Sequence, residues 1–543
     1  MNRLIVASIG AFIGATIAIL TAAAPLAAAP AGQSKQFISP VYTIDKIYHS
    51  MEGPSSVERI TLGDPNGTAE LLWVTGIRTE MVDADGTTPQ LPELMCHVNV
   101  DLDPSKHQAL FGFRRATAAR LMTLSQGMLA AKLPAGFGFP LASNEPLLLF
   151  TQVLNLNIQQ PQNLKVRHRV TIDYVRDRDL KSPIKPLFNV GASGMVQLDD
   201  NPLAMAHSMM SMPSTSSVTT EAGHDATMNP TMSCLAGARA PQATSSSADY
   251  VDPQGRKMTG HWIVPPGKQV NHSDISWFMN LQFDTRLHYA AVHLHPFARS
   301  LEMRDMTTGQ TVFLAKAENP PDAVGLLHVD EFSSAGGVPL LHTHKYSLIS
   351  TYDNPTNTNA DSMASVFLAL DDSELAVPAP DQLARVSAAL FDSSTLVLHT
   401  NIGTITAALG RDRAPETVIQ VARFVLNGAL DSTRLVAQKN ASVAVSLPND
   451  RTATLLQPAH AEGGVERNVG TVTYCRPGGA RSEATIVIDM DQPKERDSSC
   501  IGFARIVKGI DLLAAFTPGT SASLVNAETV GNPTPVARTV AAK

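Results

Sequence analysis

Residues 287–305, LHYAAVHLHPFARSLEMRD, alternate apolar and polar side chains with a period of two, the signature of a β-strand that turns at His-Pro-Phe into a second one. On such a strand residues two apart share a face, so His293 and His295 point together while Val292 and Leu294 point the other way. Imidazoles at that spacing suit a metal ion, and they suit equally a sheet's polar face; the spacing alone leaves both readings open. Working outward, the same alternation returns in HKYSLISTYDN and ASVFLALDD downstream. Upstream it returns in AELLWVTGIRTEMV, ELMCHVNVDLD, LLLFTQVLNLNI and VRHRVTIDYV, with DPNG and DADGTT as turns between strands. Strands following strands without intervening helices predict β-sandwiches, not a βαβ fold.

The chain has 543 residues, too many for one core, with 44% apolar and 17% charged residues. Its net charge of −7 and pI near 6.1, with no dominant Lys/Arg cluster, give no electrostatic case for nucleic acid. Residues 1–31 carry Arg3, an apolar run and an Ala-x-Ala exit, which predicts a cleaved signal peptide; an uncleaved anchor is the rival reading. No later segment is apolar enough to span a membrane, so a periplasmic or extracellular location is expected. In an exported chain, Cys96, Cys234, Cys475 and Cys500 are compatible with two disulfides, and position suggests Cys96 with Cys234 and Cys475 with Cys500.

The expected organisation is an N-terminal β-sandwich over 32–190, a Met/His/Ser-rich insertion or linker over 191–258 and a second sandwich over 259–375. A Pro-rich linker follows over 376–394, then a compact unit over 395–518 and a flexible tail over 519–543. The insertion offers Met205, His207, Met209, Met210, Met212, His224, Met228 and Met232, ligand types that copper favours in a run unable to bury a core. The plainer reading is a disordered linker whose methionines are accidental.

HWIVPPGKQVNHSDISW, AVHLHPFARSLEMRD and NPTNTNADSMASVFLAL together resemble the C-terminal half of the copper type II, ascorbate-dependent (peptidylglycine α-hydroxylating) monooxygenases. The resemblance covers roughly residues 40–372 and implies two jelly-roll-like sandwiches, with one copper on His293, His295 and Met363. His97 and His288 are weaker ligand candidates, and the His342/His344 pair reads as an exposed strand entry. The family's second, electron-delivering copper needs an adjacent His pair and a third His on a later strand. Here Cys96-His97 supplies one imidazole and Leu154 stands where the third is expected, so that site is dismantled and full monooxygenase chemistry is not expected.

Between residues 395 and 517, TNIGTI, APETV, NGALDST, NVGTV and GFARIVKGID occur in the order found in the cyclophilin-type peptidyl-prolyl isomerases, which they resemble. That resemblance implies a closed eight-stranded barrel with capping helices, and a peptide or protein ligand. The family's Phe-His-Arg catalytic run corresponds to Leu435, Val436 and Ala437, so the catalytic arginine is Ala437 here; Arg434 lies on the opposite strand parity. Glu483 is the second residue of a strand, SEATI, from Ser482 to Ile486, that has lost its aromatic wall. The two resemblances imply a peptidyl-prolyl isomerase class first and a copper monooxygenase second, each with part of its catalytic set missing. The alternative is a non-catalytic copper-binding or peptide-docking protein of the cell envelope.

Overall fold

The structure, a computed structural model, describes residues 32–48, 52–65, 67–113, 117–198, 250–438, 441–447, 462–476, 483–493 and 499–531. Residues 1–31, read above as a signal peptide, Cys234, the methionines and histidines of the insertion, and residues beyond 531 lie outside them. The chain is mainly β, in several sheets and one closed barrel. Among the described residues no helix is long and apolar enough to cross a membrane.

One sheet runs through both sandwiches. Its path is Gln33–Ile38, Leu164–Arg176, Leu71–Asp83, Phe137–Ala142, Lys185–Ser193, Ala364–Asp371, Thr285–Leu294 and Phe332–Leu340. The seam between the halves is Lys185–Ser193, parallel to Phe137–Ala142 on one side and antiparallel to Ala364–Asp371 on the other. This strand runs through position 190, where the sequence suggested a boundary. A four-stranded sheet containing Met95–Leu102 and Arg120–Ser125 covers the first half. A five-stranded sheet containing Ala298–Asp305 and Tyr346–Asn354 covers the second.

The Thr285–Leu294 strand is buried on both faces and divides two cores. Ala290, Val292 and Leu294 pack into the second core, whereas Tyr289 and Ala291 pack into the first. Each fully buried Val or Leu side chain contributes about 1.5–3 kcal/mol from lost apolar hydration, so this parity is strongly fixed. It is set by a register irregularity between Leu287 and Tyr289, with His288 as the extra residue. Such a bulge shifts every following side chain to the opposite face.

The barrel closes in the order Ser393–Thr400, Gly403–Leu409, Cys500–Lys508, Thr471–Cys475, Ala484–Asp489, Ser442–Leu447, Thr433–Gln438 and Ser521–Gly531. The last strand corrects the expectation of a flexible tail from 519. Ala522 and Leu524 alternate into the barrel core, but the polar residues around them conceal a strand from a hydropathy reading. The expected linker at 376–394 is also structured, as a helix over Pro380–Ser387 and a π-helical turn over Ala388–Asp392. Its Leu383 and Leu390 are wholly buried in the second sandwich's core. Arg411 fixes the far end, donating to the Leu390 carbonyl at 2.7 Å, the Ser393 carbonyl at 2.5 Å and Ser393 Oγ at 2.6 Å.

Candidate functional site

Because the bulge sets parity, His293 shares the face of Tyr289 and Ala291 and meets the four-stranded sheet of the first half. His97, on Met95–Leu102, lies there with its ring centroid 6.3 Å from that of His293, edge to face. His293 in turn stands 5.3 Å from His295, and His295 6.2 Å from His261. The four rings, all buried, form a file across the join between the halves. His97 stacks on Phe150 at 5.0 Å and has its Nδ1 3.2 Å from Cys96 Sγ.

Neither ring nitrogen of His293 has a hydrogen-bond partner, although both are shut away from solvent. A buried imidazole without a partner forfeits the hydrogen bonds it makes in water, a cost that a ligand on the ring would offset. Burial, reinforced by repulsion from His295 and His97, holds the His293 pKa well below its usual value. Burial and then Arg120 do the same for His97. Both rings are therefore neutral at pH 7, the form in which imidazole binds a metal.

Asp361 Oδ2 lies 3.0 Å from His295 Nδ1. A carboxylate at that distance is placed to pair with the ring, as carboxylates beside metal-binding imidazoles commonly do. Met363 is wholly buried where Ala360–Ser362 gives way to Ala364–Asp371, and its carbonyl accepts the Tyr352 hydroxyl at 2.5 Å. The adjacent pairing of Trp262 with Ser362 brings His261 to the same end of the strand. Among the described residues no three His, Cys, Asp or Glu side chains are arranged to hold one ion. A His293–His295–Met363 set uses only two groups of those types, and its imidazoles and thioether are donors that fit the soft Cu(I) ion.

His288 is committed elsewhere, donating from Nδ1 to the Ser334 carbonyl at 3.0 Å, with Nε2 3.5 Å from Asp371 and the ring on Phe137 at 4.0 Å. Leu154 is buried with no polar role. Sequence reasoning passed over His261 and Asp361. Both lie in the quoted runs, Asp361 two residues before Met363 and His261 at the head of HWIVPPGKQVNHSDISW, but only folding brings His261 to His295.

In the barrel, Leu435 is wholly buried in the core, Ala437 packs against it, and Val436 is exposed on the other face of Thr433–Gln438. Arg434 shares that outer face and donates to Ser521 Oγ at 2.7 Å. Glu483 is half-buried just ahead of Ala484–Asp489. Cys475 and Cys500, opposed on neighbouring strands, form a disulfide. Cys96 is buried in the first sandwich, and its suggested partner Cys234 lies outside the described residues.

No family model matches the chain, and no curated protein matches it. Among solved structures it is similar to a cyclophilin type peptidyl-prolyl cis-trans isomerase of Cryptosporidium parvum, at 11% identity and a TM-score of 0.21, covering 26% of this chain and 99% of that one. The same isomerase in the presence of the dipeptide Ala-Pro is similar at 10% identity and a TM-score of 0.21, covering 25% of this chain and 99% of that one. The barrel's closure stands on its strand pairing, independently of that likeness.

Proposed function

We propose that this chain is an exported Cu(I)-binding protein whose pocket lies at the join of two β-sandwiches, carrying a cyclophilin-like barrel that docks peptide segments with little isomerase turnover. The observation that carries the reading is His293, buried and neutral with neither ring nitrogen partnered. His293, His295 and Met363 would hold the ion, Asp361 orients His295, and the surrounding cores exclude water. Bound copper supplies a soft centre capable of one-electron change. The contact between His97 and His293 leaves no solvent gap between two separate copper sites, so the reading is binding and not two-copper hydroxylation. A disulfide in the barrel accords with an oxidising compartment and hence with export through residues 1–31.

The test is copper content and Cu(I) affinity of the chain without residues 1–31, beside His293→Ala/His295→Ala, with proline-peptide isomerisation measured on the same preparations. One Cu(I) equivalent lost in the variant is expected, with isomerisation near the uncatalysed rate because Ala437 offers no cation to the prolyl nitrogen. Equal, negligible copper in both proteins rejects the pocket. Turnover at the level of an ordinary cyclophilin rejects the docking role.

A further inference from the structure

A second set of soft donors stands at the other end of the second sandwich. The turn between Phe332–Leu340 and Tyr346–Asn354 carries His342 and His344, and the His344 amide donates to the Leu341 carbonyl at 3.0 Å. Each ring is held by a carboxylate: His342 Nδ1 lies 2.7 Å from Asp284 Oδ1, and His344 Nδ1 lies 2.7 Å from Asp305 Oδ2. The His342 amide also donates to Asp284 Oδ1, at 3.0 Å. Asp305 is itself fixed by the amides of Thr307 and Thr308. This leaves Nε2 of each imidazole as the outward donor, the arrangement that pre-orients metal-binding histidines.

The neighbouring hairpin turn supplies a thioether. Met306 donates its amide to the Lys345 carbonyl at 2.7 Å, and the Lys345 amide donates to Thr307 Oγ1 at 2.9 Å, so the two turns are clipped together. Met306 is 53% exposed, which leaves its apolar side chain with little packing role.

We propose that His342, His344 and Met306 form a surface site for a soft transition-metal cation, Cu(I) foremost, oriented by Asp284 and Asp305. The carboxylates offset the ion's charge, and the thioether selects Cu(I) over Zn(II). The eight-residue strand Ala298–Asp305 separates this turn from His295, a span of about 25 Å at the usual rise per residue, so the site stands whether or not the buried pocket binds metal.

The test uses the full chain with residues 293 and 295 already changed to alanine, titrated with ascorbate-maintained Cu(I) against bicinchoninate. His342→Ala/His344→Ala in that background is expected to remove one Cu(I) equivalent. Asp284→Asn/Asp305→Asn is expected to weaken that equivalent about 10–100-fold without abolishing it. Met306→Leu is expected to lower Cu(I) affinity while leaving Zn(II) affinity unchanged. An unchanged Cu(I) stoichiometry after loss of both histidines overturns the site. Unchanged Cu(I) affinity in Met306→Leu, whose exposed side chain the fold does not need, overturns the assignment of the thioether and serves as the deciding measurement if the histidine variant misfolds.

Discussion

At His168, on Leu164–Arg176, the ring is wholly buried and its Nε2 donates to the Gln152 carbonyl at 3.1 Å. Burial pushes its pKa from 6.5 down to about 4, against a smaller upward pull from that hydrogen bond. A histidine with a depressed folded pKa binds its proton in the unfolded chain first, so the stability it permits is fully present above pH 6.5 and is lost as pH falls toward 4. The shift corresponds to about 3 kcal/mol. His97 and His293, depressed in the same direction, steepen that loss. The metal-free protein should therefore resist urea much better at pH 7 than at pH 4.5, and His168→Gln should flatten the dependence. Equal midpoints at the two pH values would mean that these rings are already protonated in the fold. The residue scale also marks a limit of sequence reading. The shared face of His293 and His295 follows from a period of two, but the face that His293 takes depends on the bulge at His288, and nothing in LHYAAVHLH marks an extra residue.

Among the elements, the helix Pro415–Leu426 follows from APETV and its apolar spacing, with Pro415 in the first turn, where its missing N–H is not needed. The Glu462 carboxylate caps it, accepting the Glu416 amide at 2.5 Å and the Thr417 hydroxyl at 2.5 Å, a contact from a distant loop that no local pattern foretells. Sequence periodicity reads Val418, Val421, Ala422 and Val425 as one buried stripe, yet the helix has two, and Ala422 belongs to the second. Val418, Val421, Phe424 and Val425 enter the barrel core, while Ile419 and Ala422 join Leu110, Phe111 and Leu390 in the sandwich core. The second stripe was illegible because its partners come from other parts of the chain. Val421→Asp places an unpaired charge inside the barrel and should unfold it. Ile419→Asp should instead release a folded barrel from the sandwiches, raising protease sensitivity at the Pro380–Asp392 strap while the barrel's amides remain protected from hydrogen exchange. Loss of barrel protection in Ile419→Asp would show that docking is required for the barrel to fold.

The whole molecule differs most from a reading that counts domains by composition. The sandwich class and the barrel's motif order were legible, because alternation and turn chemistry are local properties. The sheet continuous across both sandwiches was not, because Lys185–Ser193 pairs with strands distant in sequence on either side. That continuity should make the halves unfold together. Leu187 lies in the first core, and its backbone pairs with Asp371 at the end of a strand whose Val366, Leu368 and Leu370 fill the second. Unfolding either half would strip one side of Lys185–Ser193 or Ala364–Asp371 and leave backbone groups unpaired between two apolar cores, which is costly. Val98→Ala in the first core and Leu348→Ala in the second each create a cavity, with an expected loss of about 1–4 kcal/mol. Followed by calorimetry, both variants should lower one shared sandwich transition. Two transitions, each moved by only one of the variants, would show that the seam strand is a covalent and hydrogen-bonded link without cooperative force, and the join at His97 and His293 would then open without unfolding either half.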